Sequence, residues 1–317
     1  MFDCKPARAP TLYFIGVTTT RSSIMRVFPL WAKELGIEAD IRGIDLPLHA
    51  PDGDYRRVVR FLKEDPLSMG ALVTTHKLDL FRSCRDLFDE IDPFAETLGE
   101  VSCLSKRGGR FRAHAKDPIS SSLALAHFVP EGFWRAHGGE VLLLGAGGSA
   151  LAMSLYFARE TSGGDRPGKI TIANRSRPRL DEAARKLSGL SPEVEFAFVH
   201  GPAPEDNDRL VKALPPYSLV VNATGLGKDA PGSPTTDAVD YPAHSLVWEI
   251  NYRGDLLFKD QAERQRAAKD LHVEDGWIYF IHGWTQVVAE VFDIPIGGAL
   301  LERLSGLAKG AGQEATP

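Results

Sequence analysis

The stretch VLLLGAGGSALAMSLYFA (141–158) constrains this chain most, because an apolar run of strand type passes through glycines straight into an apolar helical run. A strand that becomes a helix through glycine opens a βα unit, and successive βα units build a parallel sheet with helices on its faces. The same grammar recurs on both sides. Before it, TLYFIGV (11–17), Ser22 to Leu35, EADIRGIDL (38–46), Asp54 to Lys63 and ALVTTH (71–76) alternate β-rich runs with helical periodicity. After it come KITIANR (169–175), a helix near 178–188, EFAFVH (195–200), SLVVNAT (218–224) and SLVWEINY (245–252). The fold class is therefore α/β, with a doubly wound parallel sheet in the second half. Ile24, Met25, Phe28, Trp31 and Leu35 fall near helical spacing and predict one buried helix face. VSCLSKRGGRFRAHA (101–115) alternates on either side of Arg107-Gly108-Gly109, which predicts a hairpin with a positive-φ turn closing the first sheet.

With 317 residues, and roughly 150 per domain, two domains are expected. The break is placed near Asp117, with the amphipathic segment near 119–128 as connection; Lys259 to Asp270, Trp277 to Phe292 and Gly298 to Lys309 read as closing helices. Basic residues number 37 against 42 acidic, a formal charge of −5, which argues against nucleic acid or an anionic membrane as partner. No run approaches the roughly 20 apolar residues of a membrane span, and MFDCKPARAP lacks the apolar centre of a secretion signal, so a cytoplasmic protein is expected. Cys4, Cys84 and Cys103 match neither a disulfide framework nor a zinc pattern; free thiols and no metal are expected.

Gly145, Ala146, Gly147, Gly148, Ser149 and Ala150 fit the G-x-G-x-x-A pattern between strand and helix. The first glycine permits the tight turn, the second lets backbone approach a pyrophosphate, and Ala150 allows close helix packing, with the anion on the helix N-terminus. Dinucleotide binding is the function this predicts. A carboxylate near the end of the next strand would bond the ribose 2′-OH of NAD. Here stand Asn174, Arg175, Ser176 and Arg177, with Arg179 just beyond and no carboxylate until Asp181. Guanidiniums and a hydroxyl suit a 2′-phosphate, so NADP is the expected cofactor. A solvated basic helix start is the competing reading, and the helix dipole opposes it. Asn222, Ala223, Thr224 and Gly225 open NATGLG (222–227) at a strand end, where open α/β sheets bind ligands, and are expected on the nicotinamide side.

Taken in order, these landmarks resemble the shikimate dehydrogenase family over nearly the whole chain. A strand ending in Gly16 leads to a hydroxyl-rich turn with Ser22, and VTTHK (73–77) is similar to the family's Asn-Val-Thr-x-Pro-x-Lys. LGEVSC (98–103) stands where the family has Gly-Ala-x-Asn-Thr, and AKDP (115–118) where it has Asn-Thr-Asp-Gly. GAGGSA, NRSRPR and NATGLG match its glycine loop, its Asn-Arg-Thr/Ser motif and its Asn-Ala-Thr-x-x-Gly loop. WEINY (248–252) resembles its Asp-x-x-Tyr strand end, and Gln286 lies on the late helix where the family has a substrate-binding glutamine.

The resemblance implies a substrate domain of residues 1–117 plus 279–317 and a Rossmann-type NADP domain of 118–278. It implies reversible hydride transfer between NADPH and 3-dehydroshikimate, giving shikimate on the way to chorismate and the aromatic amino acids. The partner is then a polyhydroxylated ring acid and the protein a monomer or homodimer. Lys77 and Asp117 become the catalytic pair; Ser22, Thr74, Ser102, Tyr252 and Gln286 become substrate contacts. The chemistry has a physical logic of its own. Reducing a ketone builds negative charge on oxygen, so an ammonium can stabilise it and deliver the proton, while a carboxylate orients amine and substrate hydroxyl. Taken alone, Lys77 is also a solvated helix start and Asp117, before Pro118, a helix N-cap.

Departures from the family pattern cluster on the substrate side. The Ser-x-Ser-Pro turn reads Ser22-Ser23-Ile24-Met25, Thr74 stands three rather than four residues before Lys77, Ser102 replaces an asparagine, and Ala115, Lys116 and Pro118 surround Asp117. Each lost asparagine or serine removes a bond to a hydroxyl or carboxylate, worth about 1.5–3 kcal/mol when the partner is charged. Thr18, Thr19, Thr20 and Arg21 offer compensating donors. A paralogue acting on quinate, aminoshikimate or a cyclitol is therefore an alternative, as is a metabolite sensor without turnover.

Overall fold

The computed structural model describes residues 4–159, 164–228 and 230–313. The chain divides into two compact units, Met1–Lys116 with Gly283–Pro317, and Asp117–His282.

In the first unit, β1 (Thr11–Gly16), α1 (Ile24–Leu35), β2 (Asp40–Asp45), α2 (Asp52–Glu64) and β3 (Ser68–Val73) alternate, and both outer strands pair parallel to β1. The chain continues through α3 (Lys77–Cys84), β4 (Glu90–Ile91), α4 (Pro93–Leu98), β5 (Cys103–Arg107) and β6 (Arg110–His114), giving the order β2-β1-β3-β5-β6-β4. The expected strand 71–76 stops at Val73, because Thr75 turns the backbone to a φ of 59°. The hairpin pairs Arg107 with Arg110 across Gly108 and Gly109, whose φ values of 58° and 75° suit a turn that needs positive φ at both centres. It does not close the sheet: β4 adds parallel to β6 at the edge. Two residues leave no periodic signal, so β4 was invisible to pattern reading. On α1 the buried face is Ile24, Val27, Phe28, Trp31 and Ala32; Met25 and Leu35 lie at its margins. The Trp31 indole donates to the Leu304 carbonyl at 2.8 Å, tying α1 to the final helix, Gly298–Gln313.

In the second unit α5 (Asp117–Leu125) and α6 (Phe133–His137) precede β7 (Val141–Leu144), α7 (Gly148–Arg159), β8 (Lys169–Asn174), α8 (Arg177–Leu187), β9 (Glu195–His200) and α9 (Pro204–Lys212). Then follow β10 (Leu219–Asn222), β11 (Leu246–Glu249), α10 (Leu257–Glu263), α11 (Arg266–Lys269), β12 (His272–Glu274) and α12 (Trp277–Phe292), the unit boundary falling within α12. All six strands are parallel in the order β12-β11-β10-β7-β8-β9. Strands β7, β10 and β11 are buried at every residue, as a sheet covered on both faces requires. From β7 the chain builds outward through β8 and β9, then returns to lay β10 on the opposite side. The connections therefore part at the carboxyl ends of β7 and β10, where ligands bind in such sheets. The helix expected over 259–270 is broken into α10 and α11, and Tyr252 lies beyond the end of its strand.

Candidate functional site

At that switch point Gly145 has a φ of 117°, and a Cβ there would stand 2.6 Å from the Ala223 carbonyl oxygen. Glycine is demanded twice over, by conformation and by the close approach of the β10 loop. Gly147 has nothing within 4 Å of an added Cβ, so its backbone faces open space at the start of α7. That helix has no acidic residue in its first turn, Gly148 and Ser149 begin it, and Ala150 is fully buried beneath. The cavity outside these strand ends measures about 440 Å³. Gly145, Ala146, Gly147, Asn174, Arg175, Ala223, Thr224 and Gly225 all line it, and no carboxylate does among the described residues.

The basic clamp is composed differently from the sequence expectation. Arg175 and Arg179 line the cavity; Ser176 and Arg177 do not. Ser176 caps α8 by position and Arg177 begins it, so Arg177 and Arg179 point about 200° apart around the axis. The backbone of Arg175 is held by His200, whose Nε2 donates to its carbonyl at 3.0 Å. The donor set fits NADP: open backbone at a helix N-terminus and two guanidiniums with no competing carboxylate.

Asn222 is buried at the end of β10, and its Oδ1 accepts from the Thr224 amide at 3.0 Å and the Thr224 hydroxyl at 2.6 Å. Its Nδ2 donates to Glu249 at 2.6 Å. Burial pushes Glu249 up to about 7, against the pull of the N–H groups of Asn251 and Asn222 and the charge of Lys228.

Asp117 opens α5 at 7 % exposure, and its backbone carbonyl accepts from the Ser121 hydroxyl at 2.7 Å. Tyr279 on α12 donates to Asp117 Oδ2 at 3.5 Å and reaches Ser149 Oγ at 3.4 Å. This tyrosine links the acidic residue to the glycine-loop helix, and sequence reasoning missed it, since it sits in an apolar helical run. Tyr252 packs on Phe280 at 4.4 Å between ring centres. His282 is buried with its Nε2 3.2 Å from that of His127; burial, and then the neighbouring His127, lower it to about 4.

In the first unit the carboxyl ends of β1 and β3 meet the amino end of β5. The Val73 amide donates to the Ser102 carbonyl at 2.8 Å, the Thr74 amide to Ile15 at 3.0 Å, and the Val101 amide to the Lys77 carbonyl at 3.2 Å. Thr74, Lys77 and Ser102 are therefore brought together, with Lys77 as the first residue of α3. Ser102 Oγ accepts from the Lys116 amide at 2.7 Å. Ser22 follows the turn from Thr19 to Arg21, where both the amide and the hydroxyl of Thr19 are committed to Asp45. Lys116, in the place of the family's threonine, pairs with Glu290 at 2.7 Å. Gln286 is half-buried on α12. His76 is buried with Tyr55 3.0 Å from its Nδ1, and burial lowers its pKa.

Among the described residues, no three His, Cys, Asp or Glu side chains group as a metal site, and no helix is long and apolar enough to cross a membrane. Burial pushes the Cys84 thiol up to about 12 and raises Cys103 as well, which leaves both as poor nucleophiles.

No family model matches the chain. The shikimate dehydrogenase (NADP(+)) of Symbiobacterium thermophilum is 34% identical over 167 residues, 52% of this chain and 52% of that protein. That of Paramagnetospirillum magneticum is 27% identical over 239 residues, 75% of this chain and 77% of its own. Over these stretches the chain is similar to shikimate dehydrogenases. It spans about half the length of the first of these relatives and about three quarters of the second. The fold is similar to that of quinate dehydrogenase from Corynebacterium glutamicum in complex with NAD, which matches with a TM-score of 0.74 at 19% identity, covering 95% of this chain and 99% of that one.

Proposed function

We propose that this protein is an NADP-dependent oxidoreductase that interconverts 3-dehydroshikimate and shikimate. The cavity at the β7/β10 switch point, with Arg175 and Arg179 in its lining and no carboxylate among the described residues, is the observation that carries the reading. Bound there, NADPH would supply the hydride. Lys77 would stabilise the negative charge developing on the ring oxygen and deliver its proton from Nζ, and Asp117 would accept a hydrogen bond from a substrate hydroxyl. Ser22, Thr74, Ser102, Tyr252 and Gln286 would contact the ring acid. Residues 1–117 plus 279–317 act in this scheme as the substrate domain and 118–278 as the nucleotide domain, in a cytoplasmic monomer or homodimer whose mass sedimentation would give.

A second reading, a related ring acid such as quinate, is favoured by one feature. Ser102, where the family has asparagine, already uses its hydroxyl oxygen to accept from Lys116. Mixing the protein with shikimate and NADP or NAD, and following reduced nicotinamide, tests both. Turnover with shikimate and NADP is expected, and Lys77→Ala should lower kcat by about 10²–10⁴-fold with NADP binding intact. Turnover with quinate alone would select the second reading. NADP binding without turnover on shikimate, quinate, aminoshikimate or cyclitols would refute catalysis and leave a metabolite sensor.

A further inference from the structure

The last residues of β10 and β11, Asn222 and Glu249, are register partners, and both side chains are buried. Glu249 accepts three N–H bonds: from Asn222 Nδ2 at 2.6 Å, from Asn251 Nδ2 at 2.6 Å and from the Asn251 amide at 2.8 Å. A carboxylate only accepts, so it fixes which way each amide faces. With both Nδ2 groups turned to Glu249, Asn222 must present Oδ1 to the loop, where it receives the Thr224 amide and hydroxyl. Asn251 Nδ2 also reaches the carbonyls of Thr224 and Leu226, each at 3.3 Å. Thr224 and Leu226 line the cavity.

We propose that Glu249 is a positioning residue that, through Asn222 and Asn251, holds the loop from Ala223 to Lys228 in its dinucleotide-binding form. The consequence for binding rests on reading the cavity as the NADP site; the hold on the loop does not. Three N–H donors on one carboxyl suit the ionised form, whose two oxygens only accept and whose charge strengthens each bond. Among the described residues, the titratable groups facing Glu249 are Lys228, whose charge lowers it, and Tyr241, whose phenol is itself raised by burial and by Asp208 and Glu249. Protonation on going below neutral pH removes the charge that strengthens these bonds and loosens the loop, so NADP binding weakens as pH falls from 8 to 6.

Glu249→Gln replaces one acceptor with an NH₂ donor, so one asparagine must flip or lose its partner. Two measurements on the full-length protein decide the matter: amide hydrogen exchange at Thr224 and Leu226 without ligand, and calorimetric NADP binding between pH 6 and 8. The variant should exchange faster at both amides, bind NADP about tenfold or more weakly at pH 8, and keep only the pH dependence that the 2′-phosphate brings through its own pKa of about 6. Glu249→Asp, which keeps the charge, should restore binding to within about threefold. Should the glutamine variant fail to fold, Asn251→Ala, which removes the Nδ2 that joins Glu249 to the Thr224 and Leu226 carbonyls, should give the same faster exchange at Leu226, and unchanged exchange there would overturn the proposal. Unchanged exchange at both amides in a folded Glu249→Gln overturns the proposal, as does equal weakening in the aspartate and glutamine variants. Faster exchange in a protein whose wild type binds no NADP would support the positioning role while refuting the cofactor reading.

Discussion

Replacing Arg179 with alanine isolates the discrimination of NADP from NAD. Arg179 lies in the first turn of α8 and lines the cavity with Arg175, while Arg177, two residues earlier, points about 200° away. A hydrogen bond to a charged group contributes about 1.5–3 kcal/mol, and each 1.4 kcal/mol is tenfold, so the variant should lose about 10- to 150-fold in NADP affinity. Arg175 is exposed to solvent, so its own loss should fall at the low end of that range. NAD lacks the 2′-phosphate, and its affinity should move by less than about threefold. Calorimetric titration of Arg179→Ala and Arg177→Ala with both nucleotides, at one fixed ionic strength, is the assay. An unchanged NADP/NAD ratio in Arg179→Ala, or an equal loss in Arg177→Ala, would refute the helix-phase argument.

Gly145→Ala forces a Cβ to within 2.6 Å of a backbone carbonyl and puts alanine at a φ of 117°; it should destabilise the protein by at least about 1–3 kcal/mol, read in chemical denaturation, and weaken NADP binding. For stability against pH, folding raises Glu249 from 4.5 to about 7, so between those values the folded state holds a proton that the unfolded chain releases. The contribution of Glu249 to stability therefore falls as pH rises through that window, and denaturation of wild type and Glu249→Gln at pH 5 and 8 should give a smaller pH difference for the variant.

What the sequence determined by itself is whatever depends on neighbours along the chain. Strand and helix periodicities, the glycine loop at 145–148 and the Gly108-Gly109 turn are local, because a few consecutive residues carry both the hydrophobic pattern and the backbone constraint. The α/β class and the nucleotide-binding motif follow from them. Tertiary structure decided what depends on phase and pairing. Which arginine joins the cavity turns on where α8 begins, a shift of one or two residues that composition does not encode. Strands β4 and β12, two and three residues long, exist through backbone pairing to neighbours rather than through any side-chain rhythm. Glu249 meets Asn222 across 27 residues because parallel strands align their ends, and Tyr279 reaches Asp117 across 162. A single carboxylate closing an apolar strand was the one visible trace of the first contact; nothing local marks the second, since its partners are fixed only when sheet and helices pack.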